Sequence, residues 1–201
     1  MKLLVAGAKG QLGSELREKR DDTVIFVDRE ELDITNAVAV EEFFAEHKPD
    51  YCINAAAYTN VEKAEDEYAE AHAVNAVGAE NIARACAKYN TILIHISTDF
   101  VFDGKKTVPY TEEDEPHPLG VYGRTKYEGE LAVQEHCPQS FIVRTSWLYS
   151  SFGGNFVKTM LRLCAERDAL PVVADQYGSP TYAADLAEAL LAMIAVCEKK
   201  R

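Results

Sequence analysis

Tyr122 and Lys126 stand four positions apart in the stretch GVYGRTKYEGE, with no proline between them. On a helix that spacing puts a phenol and an ammonium on one face, where both can serve one small site. A free tyrosine titrates near pH 10, about three units too high for efficient proton exchange at neutrality, and a nearby ammonium favours the phenolate. The pair alone is weak evidence. Ten Tyr and twelve Lys in 201 residues give about 0.6 such pairs by chance, and the chain has one. Its bland reading is a polar strip on a solvated helix, so the residues around it must decide.

Three further groups bear on that choice. GAKGQLG places Gly7, Gly10 and Gly13 after a first apolar run, where a chain can turn tightly, approach a pyrophosphate and present helix N-terminal N–H groups to it. The spacing is G-x-x-G-x-x-G rather than the general G-x-G-x-x-G, and plain turn chemistry would use the same glycines. Asp28 ends VIFVD, fifteen residues past Gly13, where a carboxylate can accept from an adenosine ribose, while Arg29 beside it suits a 2′-phosphate. ISTDFVFDG sets Ser97, Thr98 and Asp99 at the end of a fourth apolar run, and a hydroxyl there can bond a substrate oxygen. NAAAYTN, Asn54 to Asn60, offers small residues against which a cofactor can lie. The LDIT stretch, Leu32 to Thr35, reads as a possible helix cap.

The elements that must position these groups follow from the pattern. KLLVAGA, TVIFVD, YCINAAA, TILIHIS and SFIVRTS are short, Val- and Ile-rich and not strictly alternating, as strands buried on both faces are. Helical spacing fills the gaps in QLGSELREKR, AVAVEEFFAEHK, AEAHAVNAVGAENIARACAKY and YGRTKYEGELAVQEH. Alternation of this kind predicts an α/β fold with a doubly wound parallel sheet and a ligand beyond the carboxyl ends of the strands. After residue 153 the sequence predicts a helix, a short strand, a Gly-Ser-Pro turn and a last amphipathic helix from near Thr181. The basic end EKKR is either a helix C-terminus complementing its dipole or simply where the given residues stop.

Bulk properties narrow the function. With 47% hydrophobic residues the chain can bury a core, and a net charge of −12 disfavours nucleic acid and anionic membrane surfaces. Five widely spaced cysteines without a C-x-x-C argue for reduced thiols in a cytoplasm and against a zinc site or disulfide framework. The apolar start is too short for a signal region or membrane span.

Glycine loop, strand-end hydroxyl and Tyr-x-x-x-Lys in this order resemble the extended short-chain dehydrogenase/reductase family. The stretches GAKGQLG, LDIT, NAAAYTNVEKAE, VNAVGAENIARAC, STDFVFDG, YGRTKYEGE, VRTSWLY and DQYGSPTYAADLA are similar to its dTDP-4-dehydrorhamnose reductase branch and cover nearly the whole chain. The resemblance implies a Rossmann-like dinucleotide domain over residues 1–150 and part of a substrate lobe over 151–201. It implies NADPH or NADH as coenzyme, lined by Gly7, Gly10, Gln11, Leu12, Gly13, Asp28, Asp33, Ile34, Ala57, Tyr58 and Thr59. Tyr122 would give its proton to the C4 oxygen of a dTDP-keto-sugar, Lys126 would hold the nicotinamide ribose and lower the phenol, and Thr98 would bond the same oxygen. Asp99 and Trp147 would contact the sugar.

The implied activity is reduction of dTDP-4-dehydro-6-deoxy-L-mannose to dTDP-L-rhamnose for cell-surface polysaccharide. Some relatives form Mg-assisted dimers. Members of the branch continue well past DLAEALLAMIAV, so the expectation is an intact coenzyme half and a sugar lobe only partly present in these 201 residues. Two alternatives stay open: another nucleotide-sugar reductase or epimerase, and a non-catalytic binding subunit similar to the regulatory subunit of methionine adenosyltransferase.

Overall fold

The first apolar run forms β1 (Leu3–Ala6), buried at every residue. It lies between β2 (Val24–Val27) and β3 (Tyr51–Asn54), parallel to both, with Leu4 opposite Ile25 and Cys52. β4 (Ile92–Thr98) and β5 (Ser140–Thr145) extend the sheet past β3, giving the all-parallel order β2-β1-β3-β4-β5. This computed structural model describes residues 1–19 and 24–199. Thr23 of the second apolar run, Arg20 of the first helical run, and Lys200 and Arg201 of the basic end lie outside the described residues.

Helices fill the intervals the sequence reserved for them. α1 (Gln11–Glu18) links β1 to β2, α2 (Ala37–His47) links β2 to β3, and α5 (Val121–His136) links β4 to β5. Between β3 and β4 the expected long helix runs as α3 (Tyr68–His72), a π-helical turn (Ala73–Val77) and α4 (Gly78–Tyr89). Alternate strand residues face opposite layers, as the two-residue repeat of a strand requires. Leu4, Cys52 and Leu93 meet Phe44, Ile82 and Cys86 on one face. Leu3, Val5, Ile53 and Ile94 meet Leu12 and Leu16 of α1 on the other, with Leu190 and Ile194 of a helix near the end of the chain. Each fully buried Leu or Ile stabilises the fold by about 1.5–3 kcal/mol. Helices on both faces make the sheet doubly wound, as expected.

Two local expectations are corrected. Asp33 of LDIT does not cap a helix: its Oδ1 accepts from Thr35 Oγ1 at 2.7 Å and from Thr35 N at 3.0 Å, closing a small turn. The cap of α2 is Asn36, whose Oδ1 accepts from Val38 N and Ala39 N. After residue 153, α6 (Phe156–Glu166) forms, but no strand precedes the Gly-Ser-Pro turn, and Val172 and Val173 stay exposed. The strand lies after the turn, where β7 (Thr181–Tyr182) pairs in parallel with β6 (Leu148–Tyr149). Thr181 takes that role because its N–H reaches the Trp147 carbonyl at 3.3 Å. The last helix, α7 (Ala183–Glu198), starts two residues later than expected and packs against α1, with Lys19 bonded to Glu188 at 2.6 Å.

Candidate active site

The carboxyl ends of β1, β3 and β4 open into one cleft of about 830 Å³, within the range of small-molecule and cofactor sites. Its β1 wall is the glycine turn. Gly7 has φ +83°, and a Cβ there would come within 2.6 Å of Ala56 N, so the turn requires glycine and lies hard against the loop after β3. A Cβ on Gly13 would come within 2.7 Å of Ala8 Cα, which is why α1 can start so close to β1. Gly10 is the N-cap of α1 and supplies no side chain to its first N–H groups. That uncapped N-terminus lines the cleft at Gly10, Gln11, Leu12 and Gly13, a natural place for a phosphate.

Asp28 stands at the rim after β2. Its Oδ2 accepts from Lys9 N at 2.8 Å and its Oδ1 from Arg29 N at 2.9 Å, so it ties the glycine turn to β2. Two cations flank it: Lys9 pairs with Glu30 at 2.6 Å, and Arg29 lies within 3.8 Å of Asp33 and 3.7 Å of Glu70. Lys9 is a cleft residue that sequence reasoning missed, although its place inside the glycine stretch was a signal. Hydrogen bonds from Thr35, side chain first, hold the Asp33 carboxyl below its ordinary value. Ile34 is buried against Gly78 in this wall.

The loop Ala55–Thr59 forms the next wall, and Asn75 of the π-helical turn fixes it. Asn75 Oδ1 accepts from Tyr58 N at 2.9 Å, while its Nδ2 donates to Tyr58 O and to Thr125 Oγ1, each at 3.1 Å. This buried amide joins the loop to α5. Its place in the VNAVGAENIARAC stretch marked the residue, but not the contacts it makes. The Tyr58 hydroxyl donates to Glu67, which pushes its pKa up to about 12 and commits its proton to that carboxylate.

At the end of β4, Thr98 is buried, donates to Asp99 Oδ1 at 3.2 Å and accepts from Phe100 N at 3.2 Å, capping a short 3-10 turn. Burial pushes the Asp99 carboxyl up, with the Thr98 bond opposing. Tyr122, in the first turn of α5, packs edge-on against Phe100 with ring centroids 5.5 Å apart. Gly123 permits this approach, because a Cβ there would run into the Phe100 carbonyl, and Gly129 does the same against Asn75. Burial holds the Tyr122 phenol above its ordinary value, against a lowering by its hydrogen bond with Thr98.

The Lys126 side chain reaches the backbone of β4. Its ammonium is buried and donates to Ile96 O at 2.7 Å, and burial drops its own pKa to about 8, with Glu130 opposing. Tyr122 and Lys126 line the same cleft, together with every residue that the resemblance assigns to the coenzyme, the substrate oxygen or the sugar.

Trp147 is no core residue. It is 47% exposed, sits at φ +45°, and its indole covers Gly178, where a Cβ would come within 2.7 Å of the ring. A bulky residue in that left-handed region costs on the order of 1–3 kcal/mol, strain typical of functional sites. Opposite it, Asn155 caps α6 and bonds Gln11 Oε1 at 2.9 Å, bringing Gly153 and Gly154 to the rim. GGNF before an apolar helix was the legible signal for that cap.

The cleft fits a dinucleotide on its own evidence. Besides the uncapped helix and the glycine cradle, the Ser97 and Thr145 hydroxyls in its lining are buried without a partner, as groups awaiting a polar ligand would be. Among the described residues no group of three or more His, Cys, Asp or Glu is arranged to hold a metal ion, and no helix is long and apolar enough to cross a membrane.

Known proteins resemble this chain along its whole length. The family model of the RmlD substrate binding domain matches residues 1–201. The dTDP-4-dehydrorhamnose reductase of Aggregatibacter actinomycetemcomitans is 48% identical over 94% of this chain and 66% of its own length. That of Mycolicibacterium smegmatis is 47% identical over 96% of this chain and 60% of its own. This chain therefore spans about three fifths to two thirds of the length of these curated relatives. Among solved structures, the dTDP-4-dehydrorhamnose reductase of Clostridium acetobutylicum superposes with a TM-score of 0.93 at 46% identity, covering 97% of this chain and 70% of that one. The Bacillus anthracis reductase, solved in complex with NADP, gives 0.94 at 45%, covering 96% and 70%. The chain belongs to the dTDP-4-dehydrorhamnose reductase family, within the extended short-chain dehydrogenase/reductases.

Proposed function

We propose that this protein reduces the C4 keto group of dTDP-4-dehydro-6-deoxy-L-mannose to give dTDP-L-rhamnose, with NADPH or NADH as coenzyme. The observation that carries this reading is the single cleft in which Thr98, Tyr122 and Lys126 share a rim with the glycine turn and the uncapped start of α1. Gly7, Gly10, Gln11, Leu12 and Gly13 receive the pyrophosphate. Asp28, Asp33 and Ile34 hold the adenosine half, and Ala57, Tyr58 and Thr59 support the coenzyme from the loop after β3. The coenzyme supplies the hydride that C4 accepts.

The chain's own residues supply the rest. Tyr122, kept protonated by burial, donates its proton to the C4 oxygen as charge develops there. Thr98 donates its one hydroxyl proton to that oxygen once it turns from Asp99. Lys126 holds the nicotinamide ribose and, once turned from Ile96 O toward the site, stabilises the phenolate that remains. Asp99 and Trp147 orient the sugar, and the strained backbone of Trp147 keeps its indole over the cleft. Residues 1–150 act as the dinucleotide domain and 151–201 contribute to the substrate lobe. We place the protein in the cytoplasm, as a homodimer, with neither nucleic acid nor membrane as partner.

NADPH oxidation followed at 340 nm with the dTDP-keto-sugar present tests the reading. Oxidation that depends on the sugar is expected. Tight coenzyme binding with no sugar-dependent oxidation would instead make the chain a binding subunit of the same fold.

A further inference from the structure

A carboxylate from a distant part of the chain reaches the start of α5. Gly120, the N-cap of that helix, has no side chain with which to cap it. Glu65 takes the place, its Oε1 accepting from Val121 N at 2.8 Å across 56 residues of sequence. Gly120 makes room for it, since a Cβ there would stand 2.9 Å from the same oxygen.

The carboxylate is held on a fixed mount. Glu65 ends a single 3-10 turn (Lys63–Glu65) that packs against α5. Asn60 anchors the turn, its Oδ1 accepting from Lys63 N at 3.1 Å and its carbonyl from Ala64 N at 3.0 Å, and Ala64 is wholly buried. The same stretch of chain runs straight on from the cleft-lining residues Ala57, Tyr58 and Thr59.

We infer that Glu65 is a positioning residue for the reaction: by capping α5 at the residue before Tyr122, it fixes the phenol relative to the loop that carries the coenzyme. This rests on the reading of Tyr122 as the proton donor. The first N–H groups of a helix have no partner within it, and a side-chain acceptor there secures the first turn. Tyr122 sits in that turn. Without the acceptor the turn frays, and small displacements of a reacting group are costly. The acceptor oxygen carries the effect, so glutamine substitutes for glutamate.

Amide hydrogen exchange at Val121 and steady-state kinetics on Glu65→Ala and Glu65→Gln test this, beside Asn36→Ala as a control that removes a comparable cap from α2. Glu65→Ala should lose protection at Val121 and drop kcat about ten-fold, with the KM for coenzyme within about two-fold. Glu65→Gln should restore both. Asn36→Ala should lower Tm comparably with kcat unchanged. Unchanged Val121 exchange in Glu65→Ala, a glutamine variant as impaired as the alanine one, or a kcat in Glu65→Ala matching the control would each overturn the inference. Absence of turnover in the wild-type protein would overturn the reading of Tyr122, and the positioning role with it, while Val121 exchange still reads the cap on its own.

Discussion

Tyr122 enters the cleft as a protonated phenol, because burial penalises the phenolate more than its bond with Thr98 favours it. In the direction of ketone reduction that is the required starting form. Tyr122→Phe removes only the acid, so coenzyme affinity should stay within a few-fold while turnover falls roughly 100-fold or more. Calorimetry and initial rates on the same preparation check both halves, and unchanged turnover would exclude Tyr122 as the donor. Lys126 makes a second prediction through its depressed pKa. The unfolded chain keeps this proton up to about pH 10.5, the folded one only to about 8, so in that window unfolding takes up a proton and stability rises with pH. Against Lys126→Met, which cannot titrate, the wild type should gain up to about 1.4 kcal/mol per pH unit across the window, read from urea unfolding near pH 7.5 and 9.5. A difference independent of pH would contradict the buried ammonium.

At the scale of elements, the glycines of YGRTKYEGE set how closely α5 can lie. Gly123→Ala puts a methyl group into the Phe100 carbonyl, and overpacking of this kind costs about 1–3 kcal/mol. The shift also moves Tyr122, so thermal unfolding and kcat should fall together. A variant with both unchanged would show that α5 is less constrained than its packing indicates. Much of this architecture was legible in the sequence, since five buried strands advertise themselves as Val- and Ile-rich runs and the intervening helices by their period. What was not legible is nonlocal. Asn75 joins Tyr58 to Thr125, and Glu65 meets Val121, through contacts 17 to 56 residues apart that no local pattern announces. Lys126 was legible as the partner of Tyr122 by spacing, but not its turn toward Ile96 O, which depends on where β4 ends. The apolar pair Val172 and Val173 suggested a strand, yet a strand needs a neighbour, and β6 is met by Thr181 and Tyr182 instead.

For the molecule as a whole, a net charge of −12 must still admit an anionic coenzyme. The uncapped start of α1 and the cations Lys9 and Arg29 provide local attraction, although carboxylates already hold both cations. Asp28 suits a free ribose and Arg29 a 2′-phosphate, so NADH and NADPH should both bind with a preference below about 100-fold, or roughly 2.7 kcal/mol. Calorimetry with each coenzyme decides this, and a larger preference would show that only one of the two side chains faces the site. The central claim is that this cleft joins coenzyme, tyrosine and keto-sugar in one reaction. Its most direct test is to supply coenzyme deuterated at C4 of the nicotinamide together with dTDP-4-dehydro-6-deoxy-L-mannose, and to read the product by NMR. The account predicts one deuterium at C4 of dTDP-L-rhamnose in wild type and almost none in Tyr122→Phe over the same interval. A wild-type product without deuterium at C4, or labelling that is undiminished in Tyr122→Phe, would contradict it.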